Sequence, residues 1–502
     1  MEFLVCVLYT AIFIFLIHKM DFFSINGLSK KAISTVFILK IIFGVALALI
    51  YTYYYKDRSS SDTYRYYDDG RILFSALKNH PLDYFQMLTG FHSDAPHLEI
   101  YYNEMANWYK GFNYHLYNDN RVIIRFNAFV SLFSFGYFQV HTVFICFLSL
   151  TGLTAIYKTF VAYLKDKKRE LFFAVFLIPS VLFWGSGVLK EGLILFAFGM
   201  FIYYFQEFLS GNKSLKIIGW ILFCSFYLLL LKPYILLAVI PALLVNCWIS
   251  LSKNKFPLYK YLVILFLFLG TASVVKMILP KYNPYKLLAQ KQHDFVALAR
   301  GGTYLINTAT RDTFFISSEH KNQILITRKN IFLSTGTPYQ YWTKGNITTP
   351  VLFARNDSTT YQLLMSLVPA KSKIDIHPLA PSLKSFLWNA PQAIVNCLFR
   401  PTLFECSSPL MLLTALENLL IAGIIILSLF FFKKPSAETL KMFLFCFSFT
   451  IFLATIIGMV TPVFGAMVRY KIPLLPFWVI AFLLLLDKEK MLQKFPFLKK
   501  IV

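Results

Sequence analysis

Charge is scarce in this sequence, and the motifs by which many soluble enzymes hold metals are missing. Charged residues make up 15% of the 502 positions, against 57% hydrophobic and 18% aromatic. Soluble domains carry about 25% charged residues, so the balance excludes an ordinary soluble core and fits a membrane protein. There is no HExxH and no paired CxxC, and neither a catalytic nor a structural zinc centre is expected. The seven cysteines supply no disulfide framework. Cys6, Cys146, Cys224, Cys247 and Cys446 fall inside apolar stretches, while Cys397 and Cys406 bracket Arg400 at a spacing that does not fix whether they pair. No fixed-period repeat or low-complexity linker divides the chain. The first apolar stretch does not read as a cleaved signal peptide. Glu2 precedes it in place of a basic segment, and Leu16-Ile17-His18-Lys19 offers no small-residue cleavage site.

What the chain does have is eleven apolar stretches, near 2–18, 34–55, 138–161, 170–185, 190–208, 216–231, 234–251, 261–279, 408–432, 441–460 and 471–486. About 17–25 apolar residues cross a bilayer as a helix, so the expected fold is an all-α polytopic membrane protein of about 11 transmembrane helices. Lys19, Lys30, Lys31, Lys165, Lys167, Lys168, Arg169, Lys213, Lys253, Lys255, Lys433 and Lys434 fall in alternate connectors. The tail adds Lys488, Lys490, Lys494, Lys499 and Lys500. Basic residues collect on the cytoplasmic side, which predicts the N-terminus outside and the C-terminus inside. Much of the net charge of +24 is then topological, and no nucleic-acid partner is implied.

This orientation divides the chain into spans 1–55, an outer loop 56–137, spans 138–279, an outer insertion 280–407, and final spans with a cytoplasmic tail, 408–502. In the first loop Ile72, Leu73, Leu77, Tyr84, Met87 and Leu88 recur at helical spacing. Ile123, Ile124, Phe126, Phe129, Val130 and Phe133 form a second apolar face, and both runs predict amphipathic surface helices. The later insertion is β-branched and turn-rich around Arg300-Gly301-Gly302-Thr303, which predicts a small sheet or an ordered lid.

Ionisable groups at membrane depth cost about 2.5–3.5 kcal/mol and usually face a cavity or a partner. Five places on the expected outer face carry such groups: Asp62 with Asp68 and Asp69; Lys190 and Glu191 after Trp184-Gly185-Ser186-Gly187; Lys232 before Pro233; Arg400 and Glu405 leading to Glu417; and Arg469-Tyr470-Lys471. Each has a plain reading. Asp62 could cap a helix, the lysines could snorkel to headgroups, and Tyr66 and Trp184 could belong to an interfacial aromatic belt. His92, His97 and His141 fit structural roles. Glu417 resists this treatment, because no basic residue lies within a helical turn of it. The shared side of these groups is what argues for one site.

Carboxylates and fixed cations at one membrane face suit sugar transfer from a polyprenyl-phosphate or -diphosphate carrier. Arg or Lys offsets charge on the leaving phosphate, and a carboxylate takes the proton of the acceptor hydroxyl. Asp62-x-x-x-Tyr66-x-x-x-Gly70, directly after an early span, resembles the acidic first-loop motif of multi-spanning lipid-linked-sugar glycosyltransferases of the GT-C class. The chain departs from that class in carrying an extra span before the motif. The resemblance implies Asp62 as catalytic base, with Asp68 or Asp69 orienting it or holding a divalent cation; the cofactor is otherwise unknown. Arg125, Lys190, Arg400 and Arg469 would then clamp phosphate, with Glu191 and Glu417 fixing those cations. Tyr66, Trp184, Lys232 and Lys471 complete the substrate-binding set.

The stretches 179–191, 399–401 with 415–419, and 468–473 resemble blocks of bacterial envelope-polysaccharide membrane proteins, which implies the inner membrane. The long basic outer loop also resembles O-antigen or repeat-unit polymerases and ligases, where arginines would matter more than Asp62. A lipid-linked glycan transporter or an envelope scaffold is the remaining class. Against transport, no inverted repeat pairs broken spans in matching halves. The expected partners are a lipid-linked sugar donor, a glycan or lipid acceptor, and membrane lipids.

Overall fold

The computed structural model describes all residues except 56–57, 59–60, 110–116, 253–256, 308–312, 327–330, 344–345, 348–350, 353–360 and 497–502. Lys253, Lys255, Lys499 and Lys500 therefore lie outside the described residues. The chain forms two compact units, Met1–Ile264 with Leu416–Leu453 and Arg469–Val502, and Leu265–Ala415 with Ala454–Val468.

Among the described residues, eight helices are long and apolar enough to cross a membrane; a ninth results if Phe464–Tyr470 and Leu475–Leu485, bent by 63°, count as one span. The expectation of eleven differs at two further places. Leu215–Leu231 is apolar but short, at 17 residues. The stretch near 170–185 is broken: Lys168–Phe172 passes into a π-helical turn, Phe173–Leu177, and Ile178 is extended before the six-residue helix Pro179–Trp184. Proline lacks an N–H and disfavours helical geometry in the residue before it, so Pro179 explains the break.

In the first unit the helices Phe138–Phe160 and Lys190–Leu209 cross where Gly152 meets Gly199. A Cβ on Gly199 would lie 2.0 Å from the Gly152 carbonyl oxygen. Small residues at such a crossing let two membrane helices gain backbone contact. At 1.5 Å per residue the ends of Lys190–Leu209 stand about 30 Å apart. Toward the Leu209 end, Lys158 Nζ donates to Phe22 O at 3.2 Å and Lys167 Nζ to Leu483 O at 2.9 Å. Lys488 pairs with Glu170 there at 2.7 Å. Basic connectors that are distant in sequence thus gather at one end of the unit.

The amphipathic runs of the first loop form the helices Asp62–Asn79, Pro81–Thr89 and Asn120–Ser134, and the first and last of these pack on each other. Gly70 allows the close approach, since a Cβ there would sit 2.6 Å from Asn127 Cβ. Asp62, Tyr66 and Gly70 recur every four residues and so share one helix face.

The second unit adds a small sheet to the predominantly helical fold, in the insertion whose β-branched, turn-rich sequence predicts one. Strands β1 (Gly302–Asn307), β2 (Thr313–Ile316), β3 (Ile324–Ile326), β4 (Ile331–Leu333), β5 (Pro338–Thr343), β6 (Asn346–Ile347), β7 (Val351–Leu352) and β8 (Tyr361–Leu367) follow in chain order. They form an antiparallel sheet in the order β6-β5-β2-β1-β8, with β7 on β5, and a separate β3-β4 hairpin. Leu305, Phe314, Ile316 and Leu333 make its apolar core. The chain is therefore a helical membrane protein that also carries a small sheet. Cys397 and Cys406 are not joined.

Candidate functional site

At the end of the first unit away from the basic connectors, side chains from distant segments meet in one charge network. Arg469 Nη1 donates to Asp62 Oδ2 at 2.8 Å, and its Nε donates to Glu191 Oε1 at 2.6 Å. Asp119 Oδ2 lies 2.6 Å from Lys190 Nζ and 3.1 Å from Lys232 Nζ. Lys190 also donates to Asn120 Oδ1 at 2.8 Å, an oxygen that accepts from Tyr66 OH at 3.2 Å. The ammonium groups lie near aromatic faces as well, Lys190 5.4 Å from the Tyr66 ring centre and Lys232 5.0 Å from that of Tyr470.

Three carboxylates here face three cations, and their exposure differs. The Glu191 side chain is 3% exposed, Asp119 11% and Asp62 40%, so Asp62 is the carboxylate most open to a substrate. Burial by itself would raise the Asp62 carboxyl, but Arg469, with Lys190 and Arg65 behind it, holds it below the usual carboxylate range. Burial would lower the Lys232 ammonium, but Asp119, with Tyr234 and Tyr470, raises it well above its ordinary value. Glu191 Oε2 is buried without a hydrogen-bond partner among the described residues, so the network keeps one acceptor uncommitted.

Other expected site residues are engaged elsewhere. Asp68 pairs with Arg58 at 2.6 Å. Asp69 accepts from the backbone N–H groups of Ala106 and Asn107 at 2.8 and 2.9 Å, which pins that part of the loop. Neither joins Asp62: a helix turns about 100° per residue and rises 1.5 Å, which aims Asp68 away and sets Asp69 about two turns on. Arg125 donates to Met87 O and to Tyr117 OH. Trp184 packs edge-on against Phe183. Arg400 belongs to the second unit, where it bonds Glu405 and Asn396. His141 is satisfied by Asn127 and Ser134, as a structural histidine should be.

Glu417 has a different task. Its Oε2 accepts from Ser180 N at 2.6 Å, at the start of the short helix Pro179–Trp184. At the other end Lys40, fully buried, donates to Gly185 O at 3.1 Å. A carboxylate at a helix N-terminus and an ammonium at its C-terminus both match the helix dipole. The two charges thus brace a broken segment whose continuation presents Lys190 and Glu191. Lys471 donates to Asn418 Oδ1 at 2.8 Å and supplies a positive charge near Glu417.

Sequence reasoning missed Asp119, Asn120 and Lys40. Lys40 had a readable signal, a lone lysine inside an apolar run. Asp119 had little, because Asn118-Asp119-Asn120 before an amphipathic run looks like an ordinary turn and cap. Among the described residues no three His, Cys, Asp or Glu side chains converge as a metal-ligand set. The guanidinium of Arg469 already lies between Asp62 and Glu191, so these carboxylates do not fit a divalent cation.

Apolar helices and a charge network at one end define a multi-pass helical membrane protein. No family model, no curated protein and no solved structure matches the chain.

Proposed function

We propose that the protein is an integral membrane glycosyltransferase that takes sugar from a polyprenyl-phosphate or -diphosphate carrier on the outer face of a bacterial inner membrane. The observation that carries this reading is Asp62, a half-exposed carboxylate kept ionised by Arg469 beside Lys190 and Lys232. As the acceptor oxygen bonds to the sugar's anomeric carbon, its proton passes to Asp62. The electrons of the breaking C–O bond go to the carrier phosphate, whose charge Lys190, Lys232 and Arg469 offset. The gathering of basic connectors at the opposite end supports the N-out, C-in orientation.

A polymerase or ligase is the second reading, because the same cations suit a diphosphate. Arg469 cannot separate the two, since it is bonded to Asp62; Arg400 can. Glycan products are compared for Asp62→Asn and Arg400→Gln, each expressed at the wild-type level. Near-total loss in Asp62→Asn with Arg400→Gln active supports the transferase, and full activity in Asp62→Asn rejects it. The reverse pattern favours the polymerase. The breaks at Pro179 and between Tyr470 and Leu475 give lipid-linked glycan transport a specific basis. Exchange of lipid-linked glycan in proteoliposomes without any transfer product would establish that reading instead.

A further inference from the structure

We infer that Arg121 and Arg125 form a second anion-binding site, for a phosphate or carboxylate group, separate from the Asp62–Arg469 network. The two arginines stand four residues apart on the helix Asn120–Ser134 and share one face of it. Arg121 Nε donates to Trp108 O and its Nη1 to Asp94 Oδ1, both at 3.3 Å. Arg125 Nε donates to Met87 O at 2.7 Å and its Nη1 to Tyr117 OH at 2.6 Å. These bonds leave Nη2 of each arginine without a partner among the described residues. The guanidinium carbons lie 4.6 and 5.4 Å from the centre of the same Trp108 ring. That indole is fully buried and stacks on Tyr102 at 4.4 Å. The pair is held by a packed aromatic platform, unlike loose surface arginines.

Its charge is poorly balanced. Among the described residues Asp94 is the one carboxylate bonded to the pair, and its side chain is 83% exposed, where solvent and salt screen it. Arg125 bonds only neutral oxygens; burial, and the neighbouring Arg121, hold its guanidinium below its ordinary value. Like charges four residues apart on a helix repel, and an anion bridging them removes that cost. Guanidinium groups also match the two-oxygen edge of phosphate and carboxylate. Asn120, directly before Arg121 on this helix, accepts from Lys190 of the charge network. The anionic group comes either from the diphosphate of a lipid carrier or from an acidic sugar. The inference stands apart from the proposed transfer reaction, because it concerns equilibrium binding.

The test uses the full-length protein in phosphatidylcholine nanodiscs, titrated calorimetrically with inorganic pyrophosphate and, separately, with D-glucuronate. Wild type is expected to bind at least one probe, and Arg121→Gln with Arg125→Gln to weaken that binding by about tenfold or more. Preference for pyrophosphate assigns the carrier as the source, and preference for glucuronate assigns an acidic sugar. If the glutamine variant does not fold, the lysine pair Arg121→Lys with Arg125→Lys decides. Loss of the fork should weaken binding severalfold while keeping the charge. Absence of binding by wild type, or unchanged affinity in the variant that folds, overturns the inference.

Discussion

Arg469 and Asp62 lie 407 residues apart in the chain and 2.8 Å apart in the fold, and the same guanidinium closes on Glu191 at 2.6 Å. A planar fork with several donors can serve two carboxylates at once, which an ammonium does less well. The pairing fixes the start of the Asp62 helix against the start of the Lys190 helix, and so sets the geometry of the whole charge network.

Loss of Arg469 leaves Glu191, almost wholly buried, without its counter-charge. Breaking a buried ion pair on one side costs about 3–5 kcal/mol. Arg469→Gln should therefore lower the thermal unfolding midpoint strongly in detergent, with Arg469→Lys between it and wild type. A midpoint unchanged in Arg469→Gln would show that the pairing carries no weight.

Asp62 has a depressed carboxyl in the fold. Its stabilising contribution is then present above the unfolded value, about 3.9, and is lost only as the pH falls through the lower folded value. Between pH 5 and 8 this carboxylate stays ionised. If Asp62 is the base of the proposed transfer, Asp62→Asn should remove activity equally across that range. A wild-type rate profile that tracks a carboxyl titrating near neutrality would contradict this assignment.

Asp119 separates two lysines that would otherwise face each other. Lys232 is raised in the fold, so its contribution is complete below the unfolded value, about 10.4, and is lost as pH rises through the higher folded value. Asp119→Asn should therefore destabilise the protein at neutral pH and bring alkaline unfolding to lower pH. Melting curves from pH 7 to 11 compare the two proteins, and identical curves would refute the bridging role.

The braced helix makes a further prediction. Glu417→Gln keeps an oxygen for the Ser180 N–H and should be mild. Glu417→Leu and Lys40→Met each leave a buried backbone group unpaired, at about 1–3 kcal/mol. Because both charges act on one short helix, the double variant should lose less than the two single losses combined. Strict additivity in unfolding measurements would mean that the ends are not coupled.

The second unit contains a pH-sensitive group. Asp294, on the helix Pro284–Arg300, is buried; its Oδ1 has no hydrogen-bond donor among the described residues, with His293 Nδ1 3.9 Å away, and burial pushes its carboxyl up to about 7. A raised carboxyl contributes stability below its unfolded value and loses it as pH rises through the folded one. Asp294→Asn should raise the unfolding midpoint at pH 8 and change it little at pH 5. An equal shift at both values would rule out titration as the cause.

Much of this architecture was legible because periodic patterns survive folding. Asp62, Tyr66 and Gly70 share a face by spacing alone, and Lys190, Lys232 and Arg469 drew notice as charges beside apolar runs. What could not be read depends on local breaks and distant partners. Ser180 offers Glu417 a free N–H only because Pro179 interrupts the helix, and nothing near either residue announces the match. Asp68 and Asp69 show the converse: neighbours of Asp62 in sequence, they point to other partners because a helix rotates each successive side chain. The second unit's sheet was expected only in outline, since its pairings join residues separated by loops.

In the proposed reaction the phosphate of a lipid-linked substrate docks among Lys190, Lys232 and Arg469. A polyprenyl diphosphate bearing a photoreactive group beside the phosphates, cross-linked to the full-length protein in nanodiscs and mapped by mass spectrometry, addresses this docking directly. Label is expected to concentrate near residues 190, 232 and 469 and to be competed by unlabelled carrier. Label spread over the apolar helices alone, indifferent to competitor, would contradict it.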